Sequence, residues 1–173
     1  MKYCLKIIIL SIMTMLILAF SGCGTVAHTE SSKSPKSQPI TTDTANTSGA
    51  LDEIYRNCKV KGISDVDDKE LTELLHFNLD DIDAYDIRYS KDGYGVMDTY
   101  IIKPYPENVA NVKLQLESRL DDLTREYENY DIYNSYSRCE NAVIFEQGDY
   151  LILLVMDDND AAKEIINKYI PAK

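Results

Sequence analysis

The chain has 173 residues, 45% of them hydrophobic and 27% charged, a globular composition and a length suited to one core. Its 29 acidic and 18 basic residues give a formal charge of −11. That balance argues against nucleic acid as a partner, because tracking phosphates needs a basic face, and equally against electrostatic docking on an anionic membrane.

Lys2 and Lys6 precede an uncharged apolar run from Ile7 to Phe20. The run is shorter than the roughly 20 residues a membrane-spanning helix needs, and it suits the apolar core of a signal peptide. Leu18-Ala19-Phe20-Ser21-Gly22-Cys23 then reads as a lipobox: two small residues precede a cysteine, and Phe20 stands where leucine is commonest. The expected organisation is a lipoprotein signal peptide over 1–22, the lipid-anchor Cys23 with a disordered Ser/Thr/Pro-rich tether over 23–49, and a single domain over 50–173. The tether has too few apolar residues to offset its ordering entropy, and its r.m.s. reach is about 30 Å. This places the domain on the extracytoplasmic face of the cell membrane, held by the lipid on Cys23. An uncleaved anchor would leave it on the same side.

Within the domain, Leu51, Ile54, Tyr55 and Cys58 recur at helical spacing, which predicts a helix from Ser48 or Gly49 that ends at Gly62. Leu71, Leu74 and Leu75 predict a second short helix, and Asn78 to Ile82 a cap and single turn. Tyr85, Ile87 and Tyr89 alternate with Asp86 and Arg88, the period of a strand; Met97 to Lys103 is a second strand, stopped by Pro104 and Pro106. Lys91-Asp92-Gly93 supplies turn residues between them. From about Glu107 to Asn129 the stripe Val109, Val112, Leu116, Leu120, Leu123, Tyr127 predicts the longest helix. Asp131 to Arg138 reads as a polar, aromatic loop. Ala142 to Glu146 predicts a strand, Gln147-Gly148 a tight turn, and Tyr150 to Met156 (YLILLVM) a strand central in its sheet or covered on both sides. Asp157 to Asp160 caps a last helix, Ala161 to Ile170. The order predicts an α+β fold: a four-stranded, mainly antiparallel sheet in ββαββα order with helices on one face, preceded by short lead-in helices.

The long helix ending Leu123-x-x-x-Tyr127-x-x-Tyr130, then Glu140-Asn141-Ala142-Val143-Ile144, Gln147-Gly148-Asp149-Tyr150, the apolar strand, Asp157-Asp158 and the closing helix together resemble a domain-of-unknown-function family. That family is found in small lipid-anchored lipoproteins of clostridia-type Gram-positive bacteria. The resemblance runs from about Asp67 to Ile170, and Asp98-Thr99-Tyr100-Ile101-Ile102 loosely fits the acidic residue and apolar run expected before the long helix. It implies a lipid-anchored α+β domain and carries no activity.

Chemistry is sparse. Cys4 lies in the signal and Cys23 in the lipobox, which leaves Cys58 and Cys139 either as a disulfide or as two small buried hydrophobes. His28, in the tether, and His76 are the two histidines, so a zinc site is not expected. Asp157, Asp158 and Asp160 are the best candidate calcium ligands, although helix caps want the same residue types and the EF-hand glycine and glutamate are missing. The sequence has no Gly-x-Ser-x-Gly, P-loop or Gly-x-Gly-x-x-Gly. No catalytic residue and no cofactor are therefore expected. Tyrosine recurs at 127, 130, 133 and 136, and Tyr133 and Tyr136 are the candidate ligand surface. The expected function is that of a non-enzymatic binding module for an envelope protein or cell-wall component. The alternatives are an envelope hydrolase or calcium-dependent enzyme using an aspartate cluster, and a structural subunit of an envelope assembly.

Overall fold

The structure is a computed structural model that describes residues 44–56, 58, 60–91 and 94–173. The expected signal peptide, Cys23, His28, the expected tether as far as residue 43, and Asp92 and Gly93 lie outside the described residues; residues 44–49, also expected in the tether, are described, and a helix begins at Thr47. Among the described residues no helix is long and apolar enough to cross a membrane.

The elements are α1 (Thr47–Tyr55), β1 (Ile63–Asp65), a π-helical turn (Glu70–Leu74), a 3-10 turn (Leu79–Asp81), β2 (Ile82–Ser90), β3 (Asp98–Pro104), a 3-10 turn (Pro106–Asn108), α2 (Val109–Glu128), α3 (Ser135–Glu140), β4 (Val143–Gln147), β5 (Tyr150–Val155) and α4 (Asn159–Tyr169). Asn46 caps α1, its side chain accepting from Gly49 N at 2.9 Å. That helix stops at Tyr55, well before Gly62, which instead takes a left-handed φ of 72° ahead of β1. The Leu71–Leu75 segment closes as a π-helical turn, Leu75 N bonding to Glu70 O, and exposed His76 follows it at φ 60°.

The sheet has five strands, not four, in the order β1-β2-β3-β5-β4, with every neighbouring pair antiparallel. The extra strand, β1, is three residues long and shows no alternating pattern that a sequence reading could detect. The two expected hairpins, β2–β3 and β4–β5, are joined by pairing of β3 with β5.

Helices cover both faces, which corrects the one-face arrangement. In the central pair, Tyr100 opposes Leu153 and Ile102 opposes Leu151 on the face packed by Val112, Leu116, Leu123 and Tyr127 of α2. The alternate residues, Ile101 opposite Ile152 and Thr99 opposite Leu154, face Leu51 of α1 and Ala162 and Ile166 of α4. Burying each such large side chain contributes about 1.5–3 kcal/mol, and a strand apolar at every position gains that on both faces only if helices lie on both. The uninterrupted run in β5 was thus the signal for two covered faces. A second miss is α3, whose six residues carry too little periodicity to stand out from a polar loop.

Helices α1 and α4 are tied together by Glu53, whose carboxylate accepts from Lys168 Nζ and from the Tyr169 hydroxyl at 2.6 Å. The β4–β5 turn is Gly148-Asp149, one residue later than the sequence suggests. Gly148 holds φ 61°, and a Cβ there would stand 2.7 Å from Pro171 O. Gly148→Ala is expected to lower stability by about 1–2 kcal/mol, the cost of a left-handed non-glycine residue, with the urea m-value unchanged. Chemical unfolding that matches wild type would refute this reading of the turn.

Candidate functional site

A cleft of about 680 Å³ opens on the α1/α4 side of the sheet, where β3 begins and β5 ends. One wall is Ile54, at the end of α1, with Cys58, Val60 and Lys61 after it. The floor holds Met97 and Met156. The far wall is Ala161, Ala162 and Ile165 of α4, and Tyr94, Tyr133, Arg138, Asp157 and Asp158 form the rim.

Each wall is fixed by its own polar contacts. The Tyr55 hydroxyl lies 3.0 Å from both the Arg88 and Met97 carbonyl oxygens and 3.3 Å from Thr99 Oγ1. With one proton it donates to a carbonyl while its lone pairs accept. This pins the end of α1 to the start of β3. The segment before β3 is locked to the turn before α3. Gly95 sits at φ 84°, where a Cβ would be 2.7 Å from Ser135 Oγ and 3.0 Å from Ile132 O. Val96 N donates to Ser135 Oγ at 2.9 Å. Arg138, only 9% exposed, donates from Nη1 to Val96 O at 3.0 Å and from Nε to Asp157 Oδ1 at 2.6 Å. Three segments distant in sequence therefore meet at Ser135 and Arg138, and neither residue carries a local motif that would have marked it.

Tyr133 and Asn134 both adopt left-handed backbone, φ 54° and 61°. Consecutive non-glycine residues there are costly and persist only where the surroundings impose them. The imposed turn holds Tyr133 67% exposed at the cleft rim, facing the same opening as Tyr94, which is 42% exposed. Tyr136 does not join it: it lies in α3 and packs against the α2-side core. The structure thus places Tyr133 beside Tyr94 at the cleft rim and does not bring Tyr133 and Tyr136, the two tyrosines singled out from the sequence, to one surface. The three-residue step that suggested a stripe crosses the left-handed residues Tyr133 and Asn134, so helical spacing does not hold between the two tyrosines.

The aspartates before α4 have other partners. Asp157 pairs with Arg138, and Asp158 caps the helix by accepting from Ala161 N at 2.9 Å. Asn159 Oδ1 accepts from Met156 N at 3.1 Å, and Asp160 is exposed in the first turn of α4. Among the described residues no three His, Cys, Asp or Glu side chains gather to hold a metal ion, so Asp157, Asp158 and Asp160 are not brought together as calcium ligands. Of the two readings offered for Cys58 and Cys139, the structure has the unpaired one: both are free thiols, Cys58 packed on the α1/α4 face of the sheet and Cys139 in the α2 core on the other. Burial pushes the Cys139 thiol up to about 11, so it is inert.

A second polar centre lies behind the cleft, on the α2 face. Asp98, 1% exposed, accepts from Ser90 N at 3.0 Å, Met97 N at 3.3 Å and the Tyr100 hydroxyl at 3.2 Å, with Arg119 Nη2 3.9 Å away. Arg119 Nε also donates to the Tyr100 hydroxyl at 2.9 Å. Desolvation dominates and raises the Asp98 carboxyl above the usual carboxylate range, although these donors and Arg119 pull the other way.

The fold defines an α+β domain in which an antiparallel sheet is covered by helices on both faces. Residues 56–156 match the family described as "Domain of unknown function (DUF4358)". The match covers more than half of the chain, and the protein belongs to that family. No curated protein and no solved structure matches the chain. The match starts earlier and stops sooner than the resemblance suggested. It takes in Cys58, Met97, Tyr133 and Arg138 of the cleft, and leaves Ile54, Asp157 and the α4 wall outside.

The raised Asp98 carboxyl makes a prediction. Its protonated form is favoured in the folded state, so its contribution is full below the unfolded pKa of about 3.9 and is lost as pH rises through the folded value. The stability of wild type relative to Asp98→Asn is expected to fall as pH rises from about 4 towards neutrality, measured by urea unfolding. A difference that stays constant over that range would refute it.

Proposed function

We propose that the protein is a lipid-anchored extracytoplasmic lipoprotein whose acidic domain acts by binding, with the cleft between α1, α4 and the 133–138 segment as its site. The observation that carries this reading is the chemistry of the cleft. Its interior is largely apolar, and its rim presents two exposed tyrosines on an imposed backbone. Three of the charged groups at its edge have partners: Arg138 with Asp157 and Val96 O, and Asp158 with Ala161 N. A pocket so arranged takes up apolar surface more readily than it moves protons. Tyrosine, with a large apolar body and a polar tip, suits the edge of such a contact. The lipobox ending at Cys23 supports the address, and the polar stretch that follows it separates the anchor from the domain.

Two experiments test the reading. Cys23→Ala is expected to move the protein out of the membrane fraction or leave its signal uncleaved; lipid labelling equal to wild type would sink the anchoring. A photo-crosslinking residue at Tyr133 in intact cells is expected to give a discrete adduct. The same residue at Leu114, 63% exposed on α2, is expected to give none. Equal adducts from both positions, or none from Tyr133, would remove the cleft as the binding surface.

A further inference from the structure

The chain contains five methionines: Met1 opens it, Met13 and Met15 fall in the N-terminal apolar run, and the other two, Met97 and Met156, both line the cleft. Of the two cysteines in the domain, Cys58 lines the same cleft, and Cys139 is buried on the opposite face. The sheet explains why the two thioethers meet. Met97 and Met156 stand one residue beyond the last registered pair of the central strands, Asp98 and Val155. Both belong to the apolar cluster on the α1/α4 face, beside the two strand ends that this register aligns. The contacts agree: Met156 Sδ lies 3.6 Å from Thr99 Oγ1, and Cys58 Sγ touches Met97 Sδ. Three sulfur atoms thus border one opening. A methionine that fills an irregular gap in a core needs no further account. Both methionines and the more accessible thiol of the domain converging on an open cleft do.

We propose that Cys58, Met97 and Met156 form a binding site for a soft monovalent cation, Cu(I). Thioether and thiolate ligands favour Cu(I) over harder ions, which prefer carboxylate, carbonyl and water oxygens. A zinc site would need further imidazole or thiolate ligands, and no group of three His, Cys, Asp or Glu gathers among the described residues. The charge also suits the site. Binding releases the Cys58 thiol proton to solvent and forms one Cu–thiolate bond, so the cation and the thiolate cancel while two neutral thioethers complete the set. A neutral complex costs less to seat among Ile54, Val60 and Ala162 than a divalent ion would. The proposal rests on the cleft as the binding site of the domain and is independent of anchoring at Cys23.

The test is a titration of the full chain, detergent-solubilised, reduced and anaerobic, against the Cu(I)–bicinchoninate complex. Wild type is expected to withdraw one equivalent of Cu(I), and X-ray absorption of the loaded protein to show an all-sulfur first shell. Met97→Leu and Met156→Leu conserve volume and leave every thiol in place. Each is expected to weaken binding by about tenfold or more, and Cys58→Ser to abolish it. Wild-type affinity in both leucine variants would assign the copper to other thiols and overturn the site, as would a wild-type chain that takes none. If Cys58→Ser fails to fold, the leucine variants still decide. A discrete Tyr133 adduct in cells combined with no Cu(I) uptake would overturn the metal site and leave the binding cleft standing; loss of both would remove the cleft reading as well.

Discussion

The pairing of β3 with β5 is the constraint on which the rest of the domain depends. Tyr100, Ile101 and Ile102 on one strand and Leu151 to Val155 on the other are almost completely shielded from solvent. Successive side chains point to opposite faces, so two consecutive buried residues require cover above and below. Helix α2 supplies one cover, and α1 with α4 the other. The edge strands β1 and β4 carry mixed, partly exposed residues, as strands do where one face or one edge meets water.

The same alternation separates the two polar and semi-polar centres. At the start of β3, Met97 and Asp98 are neighbours in sequence but point to opposite faces. Met97 reaches the floor of the cleft beside Met156 and Cys58. Asp98 enters the α2 side, where Ser90, Tyr100 and Arg119 satisfy it. One strand end therefore borders the open cleft on one side and a buried carboxylate network on the other. The two are coupled through the backbone, since Asp98 accepts from Met97 N. A buried carboxylate of this kind is held by its donors at the cost of desolvation, which fixes the strand end rather than adding much to stability.

The cleft itself follows from where the helices stop. Helix α1 ends at Tyr55, and α4 begins at Asn159, beyond the end of β5. The sheet end between them is bordered by connecting segments and the start of α3, held there by side-chain hydrogen bonds. Ser135, Arg138 and Asp157 do this at the rim, and the left-handed pair Tyr133-Asn134 turns an aromatic ring outward there. The 133–138 segment is tied there at more than one point, to Val96 through Ser135 and Arg138 and to Asp157 through Arg138.

Much of this was legible in the chain. The hairpins β2–β3 and β4–β5, the stripe of α2 and the capping role of Asp158 all rest on local periodicity or local bonding, which adjacent residues determine by themselves. What only the tertiary structure decided is what depends on distant segments meeting: the fifth strand β1, the placement of helices on both faces, the separation of Cys58 from Cys139 and the replacement of Tyr136 by Tyr94 beside Tyr133. Three residues of strand or six of helix contain too few turns of any period to announce themselves. The gathering of Cys58, Met97 and Met156 follows no local spacing: Cys58 and Met97 are 39 residues apart, and Met97 and Met156 stand just outside the paired ends of β3 and β5.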